Sequence, residues 1–343
     1  MKKLPAIEAS YAVLQEIATA PIRSRLLTAG LELGVFDEMN EYRSADDIAF
    51  AVGSHAGNTG RFLDALTTIG LAEKRNGLYR NRLELAPFLL KRSPTFIGGM
   101  LQLMDRMCIE PLDGLVDLVK GGPPTGSYNE DFSSPEFWAQ ATRASAAWVT
   151  GGAGTQMAKI VAGLPEFAGF HRMLDLGGGH GMFALYFVDA HPEMTGVVFD
   201  RPVVAAVANE LIKEYGLQER VSVIEGDYLV DDIGTGYDLI WACATLNFAR
   251  HDLDTLIGKV HDALNPGGVF IAFQDGMTHE RTQPDTMLGH LGDALRSVQD
   301  FSFDQGEISA SMLRCGFRSV HSQTIDTPMG AMDLDIARKD FGS

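Results

Sequence analysis

Two periodicities divide the chain. From residue 22, IRSRLLTAGLELGVFDEM places its apolar residues at helical spacing. SADDIAFAVG follows, with Ser44 in the position of a helix cap and acids in the first turn. NTGRFLDALTTIGLAEK is another amphipathic stretch, ending near Gly70. LAEKRNGLYRNR then reads as two short strands around Asn76-Gly77, a strong hairpin signal. Residues 101–168 are mostly helical in pattern. KGGPPTGSYNED interrupts them as a loop, and SPEFWAQATRASAAWVTGGAGTQM reads as one long helix.

From residue 171 the pattern changes. Strand RMLDLG is followed by helix MFALYFVDAHP, strand GVVFD and helix VVAAVANELIKEYG. Strands VSVIEGD and YDLIWAC, helix LDTLIGKVHDAL, the turn NPGG and strand VFIAFQD come next. Alternating strands and helices predict a parallel α/β sheet. Helix GEISASMLRCG precedes two strands, FRSVHSQTID and AMDLDIARK, which predict an antiparallel pair closing that sheet. The expected division is residues 1–100, three helices and a hairpin in winged-helix layout, and residues 101–343. In the second part, residues 101–168 cover a pocket and 169–343 form the sheet domain.

Charge and composition narrow the function. The net charge of −17 argues against a nucleic-acid footprint and against docking on anionic lipid. No apolar run approaches the ~20 residues of a membrane helix. The start, MKKLPAIEAS, has no apolar signal region. Cys108, Cys243 and Cys315 lie far apart without a C-x-x-C, so neither a disulfide framework nor a metal site is expected. A cytoplasmic enzyme acting on a small molecule fits these features.

LDLGGGHGM carries the sharpest chemical signal. A buried strand delivers the chain to Gly177, Gly178, Gly179 and Gly181, which let backbone approach a ligand and leave helix N–H groups facing it. A dinucleotide fingerprint counted from Gly177 fails at Met182. Asp200 ends the second strand, placed to accept both hydroxyls of a ribose. Asp227 ends the third, placed to accept from an adenine amino group, with Tyr228 packing on the ring.

These motifs, in this order, resemble the S-adenosylmethionine-dependent methyltransferases of the small-molecule O-methyltransferase family. DLGGGHG is similar to its D-x-G-G-G-x-G loop, EGDYL to its G-D-M-F segment with Tyr228 in place of Met, and LNPGG to its L-x-P-G-G turn. The resemblance implies a Rossmann-like catalytic domain and a helical winged-helix dimerisation domain, hence a homodimer. It also implies S-adenosylmethionine as cofactor, held by Asp175, Gly177, Gly179, Asp200, Asp227 and Tyr228, with Cys243 lining the adenine.

The pattern breaks after the fourth strand. The family has L-H-D-W there, and its His deprotonates the acceptor hydroxyl. The strand-end acid lies nine residues before that His, and here Asp238 lies nine before Asn247. An amide cannot act as the base. His251 shares a face with Asn247 if the segment is α-helical. His290, in MLGHLGDALRS, is the other candidate. Arg143 and Arg296, on helices expected to face the cleft, are candidates to hold a substrate carboxylate. Trp148 offers an aromatic face for a cation.

A thioether nucleophile carries no proton and needs no base. That makes the chain similar to the bacterial S-methyltransferases of dimethylsulfoniopropionate synthesis, which methylate 4-methylthio-2-hydroxybutyrate. The alternatives are O-methylation with a relocated His, C-methylation of a tetrapyrrole or other activated ring, and a non-catalytic winged-helix sensor of S-adenosylmethionine.

Overall fold

The computed structural model describes residues 8–124, 134–296 and 302–342. The chain divides into two compact units, residues 1–102 and 103–343. No described helix is long and apolar enough to cross a membrane.

The first unit is helical with one hairpin. The stretch expected as a single helix from residue 22 is two helices, Ala12–Leu33 and Val35–Glu38. Gly34, at φ 73°, ends the first, and its N–H reaches the carbonyls of Gly30 and Leu31. Helix Ala45–Val52 starts as the sequence predicts, with the Ser44 hydroxyl accepting from the Asp47 N–H at 3.1 Å. Ser44→Ala is therefore expected to cost about 1 kcal/mol, read as a lower midpoint in thermal denaturation. Helix Ala56–Thr68 leads to strands β1 (Ala72–Arg75) and β2 (Leu78–Asn81), antiparallel about Asn76-Gly77. Both turn residues have positive φ, as a two-residue hairpin of this kind requires. Val35, Phe36, Met39, Ile48, Leu63 and Leu66 close the core. Helix Ala12–Leu33 buries only Gly30 and Leu31, and leaves Val13, Leu14, Ile17 and Ile22 at least 60% exposed.

The second unit holds a seven-stranded sheet. Its strands are β3 (Arg172–Leu176), β4 (Thr195–Asp200), β5 (Val221–Glu225), β6 (Tyr237–Cys243), β7 (Leu264–Gln274), β10 (Ser319–Thr327) and β11 (Gly330–Arg338). Two short strands, β8 (Gly276–Met277) and β9 (Phe303–Asp304), pair apart from it. The order is β10-β11-β7-β6-β3-β4-β5, and β11 runs against both of its neighbours. The rest is parallel, with apolar cores on both faces. Along β6, Leu239 and Trp241 enter one core while Ile240 and Ala242 enter the other. The chain starts at β3, moves outward to β5, and returns to β6 on the other side. The loops after β3 and β6 therefore diverge, leaving the crevice where ligands bind in open α/β sheets.

Two expectations need correction. The long helix is Pro135–Trp148 and Gly154–Ala162, separated by a π-helical turn in which Gly152 has φ 143°. Close packing accompanies the break: a Cβ on Gly154 would lie 2.7 Å from both Tyr186 and Val149. NPGG is not a turn ahead of β7 but an irregularity inside it. Pairing jumps from Tyr237–Leu264 to Leu239–Val269, so two steps on β6 face five on β7. In the stretch expected as a loop, Lys120 and Gly121 end helix Leu115–Gly121, and residues 125–131 lie outside the described residues.

Candidate active site

The glycine loop leaves β3 at the crevice. Gly177 has φ 61°, and a Cβ there would sit 2.0 Å from the Thr245 hydroxyl, so only glycine fits. Gly179 has φ 59°, but a Cβ would meet nothing within 4 Å. The loop is packed on one side and open on the other. Asp200, at the end of β4, accepts the Gly179 N–H at 2.8 Å and the Arg201 N–H at 2.7 Å. Burial holds its carboxyl above the ordinary carboxylate range.

Asp175 sits underneath the loop. It is 1% exposed, accepts the Ala184 N–H at 3.3 Å, and would be struck by any Cβ on Gly178. Its place is support of the loop rather than reach toward a ligand. Burial, then the Asp200 charge, pushes it up to about 7. The folded chain thus holds a proton that the unfolded chain loses near pH 4. Between those values the folded state binds more protons, so this group's contribution falls as pH rises. Asp175→Asn is expected to flatten the decline in thermal midpoint from pH 4 to 7. His180, within the loop, accepts the Met182 N–H at 3.1 Å, and burial pushes it down to about 4, so it is neutral.

The far side of the loop meets Tyr228. Its hydroxyl lies 2.6 Å from the Thr245 hydroxyl and donates to the Thr245 carbonyl at 3.1 Å. Burial pushes the phenol up to about 12. Asp227 accepts the Leu229 N–H at 3.0 Å, with the Arg201 guanidinium at 3.6 Å. Burial, with Asp175 and Asp275 nearby, pushes the Cys243 thiol well up. The thiol is therefore neutral, which does not favour it as a nucleophile.

Beyond β6 the chain turns through Ala244, at φ 49°, into a 3₁₀ segment, Leu246–Asp252. This separates His251 from Asn247. At three residues per turn, four positions fall a third of a turn apart, and the buried pair is Leu246 with Ala249. His251 is exposed, while the Asn247 Oδ1 is buried with no hydrogen-bond partner. The shared face expected for the two residues does not form.

His290 does find a carboxylate. Its Nε2 lies 3.7 Å from the Asp275 Oδ2, just past the end of β7. The Gln274 amide donates to the other Asp275 oxygen at 2.7 Å, and the Gln274 Oε1 is buried without a partner. Asp275, Gln274 and Thr245 were not foreseen from the sequence. A carboxylate ending a predicted strand, as Asp200 and Asp227 do, was the signal available for Asp275. Arg143 forms an exposed ion pair with Glu210, whose helix, Pro202–Glu214, packs on that of Arg143. Arg296 donates to the Gly292 carbonyl at 3.5 Å. Trp148 stacks on Phe273 and meets Phe183 edge-on, with its indole N–H buried and unpartnered.

Residues 114–296 match the model of an O-methyltransferase domain, and residues 15–92 that of an O-methyltransferase dimerisation domain. The chain is 26% identical to N,N-dimethyltransferase OxyT of Streptomyces rimosus, over 92% of this chain and 93% of that one. It is 28% identical to the 3-hydroxy-5-methyl-1-naphthoate 3-O-methyltransferase of Streptomyces sahachiroi, over 76% and 75% of the two chains. Human N-acetylserotonin methyltransferase, solved in complex with S-adenosylmethionine, superposes with a TM-score of 0.80 at 23% identity, covering 98% of this chain and 100% of that one. The residues here fit that group. The open side of Gly179 would admit it, the half-buried Asp200 carboxylate would meet the ribose hydroxyls, and Asp227 stands two residues past the end of β5.

Proposed function

Because the chain belongs to the O-methyltransferase family and is an S-adenosylmethionine-dependent methyltransferase, we propose that it methylates a hydroxyl of a small molecule, with His290 as base. S-adenosylmethionine, bound over the glycine loop, supplies the electrophilic methyl. The observation that carries the reading is the His290–Asp275 pair at the end of β7, the strand beside β6. With its proton on Nε2, toward Asp275, the ring leaves Nδ1 to take the acceptor's proton. Asp275 then stabilises the imidazolium, and Gln274 fixes Asp275 by donating to its second oxygen. Such contacts tighten when substrate binds. A phenol with a pKa of about 10 needs this help near neutrality. Asn247 offers its unpartnered carbonyl to orient the acceptor rather than to deprotonate it.

A second reading rests on Asn247 itself. A neutral, buried and unpaired acceptor where the family has its base suits a nucleophile without a proton. That reading is S-methylation of a thioether acid such as 4-methylthio-2-hydroxybutyrate, the step of dimethylsulfoniopropionate synthesis. The test is product analysis with methyl-labelled cofactor over phenols, catechol, the thioether acid and a tetrapyrrole. Label in an ether is expected. Label in a sulfonium supports the second reading and sinks the first, and label on a ring carbon sinks both.

The exposed apolar residues of helix Ala12–Leu33, within the dimerisation domain, offer the surface for a second copy of the chain. The working form is then a homodimer, and its three free cysteines suit a reducing compartment such as the cytoplasm.

A further inference from the structure

Three separated segments meet at one point beside the glycine loop. The Tyr228 ring, 7% exposed, lies against Gly177, where a Cβ would stand 3.0 Å from its Cε1. The Thr245 hydroxyl, 2.6 Å from that of Tyr228, blocks the same position at 2.0 Å. Lys259 pins the Tyr228 backbone, donating to the carbonyls of Tyr228 and Asp231 at 2.9 Å each. The Tyr228 side is thus a fixed anchor.

The Thr245 side is held less naturally. Ala244 sits at φ 49°, a conformation that L-residues with a Cβ avoid. Its N–H is tied to the Phe273 carbonyl at 3.0 Å. Two residues after Thr245 comes Asn247, the side chain at the family's base position. A turn in an unfavourable conformation persists only where its surroundings over-determine it. Here the Tyr228 hydroxyl makes both side-chain contacts to Thr245. The family's Met at this position has no hydroxyl with which to make them.

We propose that Tyr228 is a positioning residue that couples the donor site to the acceptor turn: through Thr245 it fixes Ala244–Asn247 against the glycine loop, so that cofactor binding orders the segment presenting Asn247. This rests on the donor site alone and not on His290 or on which atom is methylated. A cofactor that orders the Gly177 loop orders Thr245 with it, because the two are in contact, and the Tyr228 hydroxyl carries that order to the turn.

S-adenosylhomocysteine is the probe, with amide hydrogen exchange over Leu246–Phe248 as the readout and calorimetry for affinity. In the unaltered protein, saturating probe is expected to slow exchange there about tenfold, the scale of ordinary site-to-site coupling. In Tyr228→Phe that slowing shrinks to about twofold or less while affinity stays within about threefold. Thr245→Ser keeps a hydroxyl and is expected to behave as the unaltered protein. Thr245→Val loses the hydroxyl contact but keeps the Tyr228 bond to the residue 245 carbonyl, so its slowing is expected to fall between those of the unaltered protein and Tyr228→Phe, and combining it with Tyr228→Phe adds nothing to Tyr228→Phe alone. With an acceptor in hand, Tyr228→Phe lowers kcat and leaves the KM for S-adenosylmethionine unchanged. Full slowing in Tyr228→Phe, or none in the unaltered protein, overturns the proposal. So does weakened probe affinity with the slowing retained, which reduces Tyr228 to an adenine contact.

Discussion

Asp200→Asn is expected to weaken binding of S-adenosylhomocysteine by about two to four orders of magnitude, as two charge-assisted hydrogen bonds to a ribose are lost at about 1.5–3 kcal/mol each. The local geometry suits that contact. The carboxylate ends β4, is held by the N–H groups of Gly179 and Arg201, and burial raises its proton affinity. The raised value sets the sign of two further effects. On acidification Asp200 takes its proton earlier than an exposed aspartate, so cofactor affinity falls off at a higher pH than ordinary carboxylates predict, and Asp200→Asn loses that dependence. For folding, a carboxyl with a raised folded-state pKa lowers stability as pH climbs past its unfolded value. The asparagine avoids that loss, and its amide oxygen still accepts the Gly179 N–H, so the thermal midpoint at neutral pH is expected to hold or rise. Calorimetric affinity within about threefold of the unaltered protein removes Asp200 from the cofactor site.

The elements legible in the sequence are those fixed by local chemistry. YDLIWAC is a buried run between turn residues, and β6 occupies those seven residues. Asn76-Gly77 specifies its own hairpin, and the glycine loop announces positive φ. What the sequence hid was set by distant partners. Arg143 reads as a cleft residue until Glu210, 67 positions on, pairs with it on the surface. The partner of the Tyr228 hydroxyl was hidden because Thr245 lies 17 positions on. Whether Asn247 and His251 share a face depends on α or 3₁₀ winding, which apolar spacing over one short segment does not separate. Asp275 closes the strand expected as VFIAFQD and lies one residue past the end of β7, and its importance comes only with His290, which the fold brings to it.

His290→Ala is expected to lower kcat by about 10²–10⁴, the usual range for a general base, with the KM for S-adenosylmethionine unchanged. With a phenolic acceptor, kcat/KM of the unaltered enzyme is expected to rise with pH, because only the neutral imidazole can accept a proton. Asp275→Asn keeps His290 in place but removes the charge that favours its protonated form during transfer. It is expected to lower kcat by less than His290→Ala. His251→Ala serves as the control: exposed on the 3₁₀ segment and off the Asn247 face, it is expected to leave rate and profile unaltered. The same measurements separate the two chemistries, since a thioether acceptor has no proton to give. A flat profile together with full activity in His290→Ala would move the reaction to Asn247 and a proton-free nucleophile. A rising profile that collapses only in His251→Ala would require the Leu246–Asp252 segment to rewind when substrate binds.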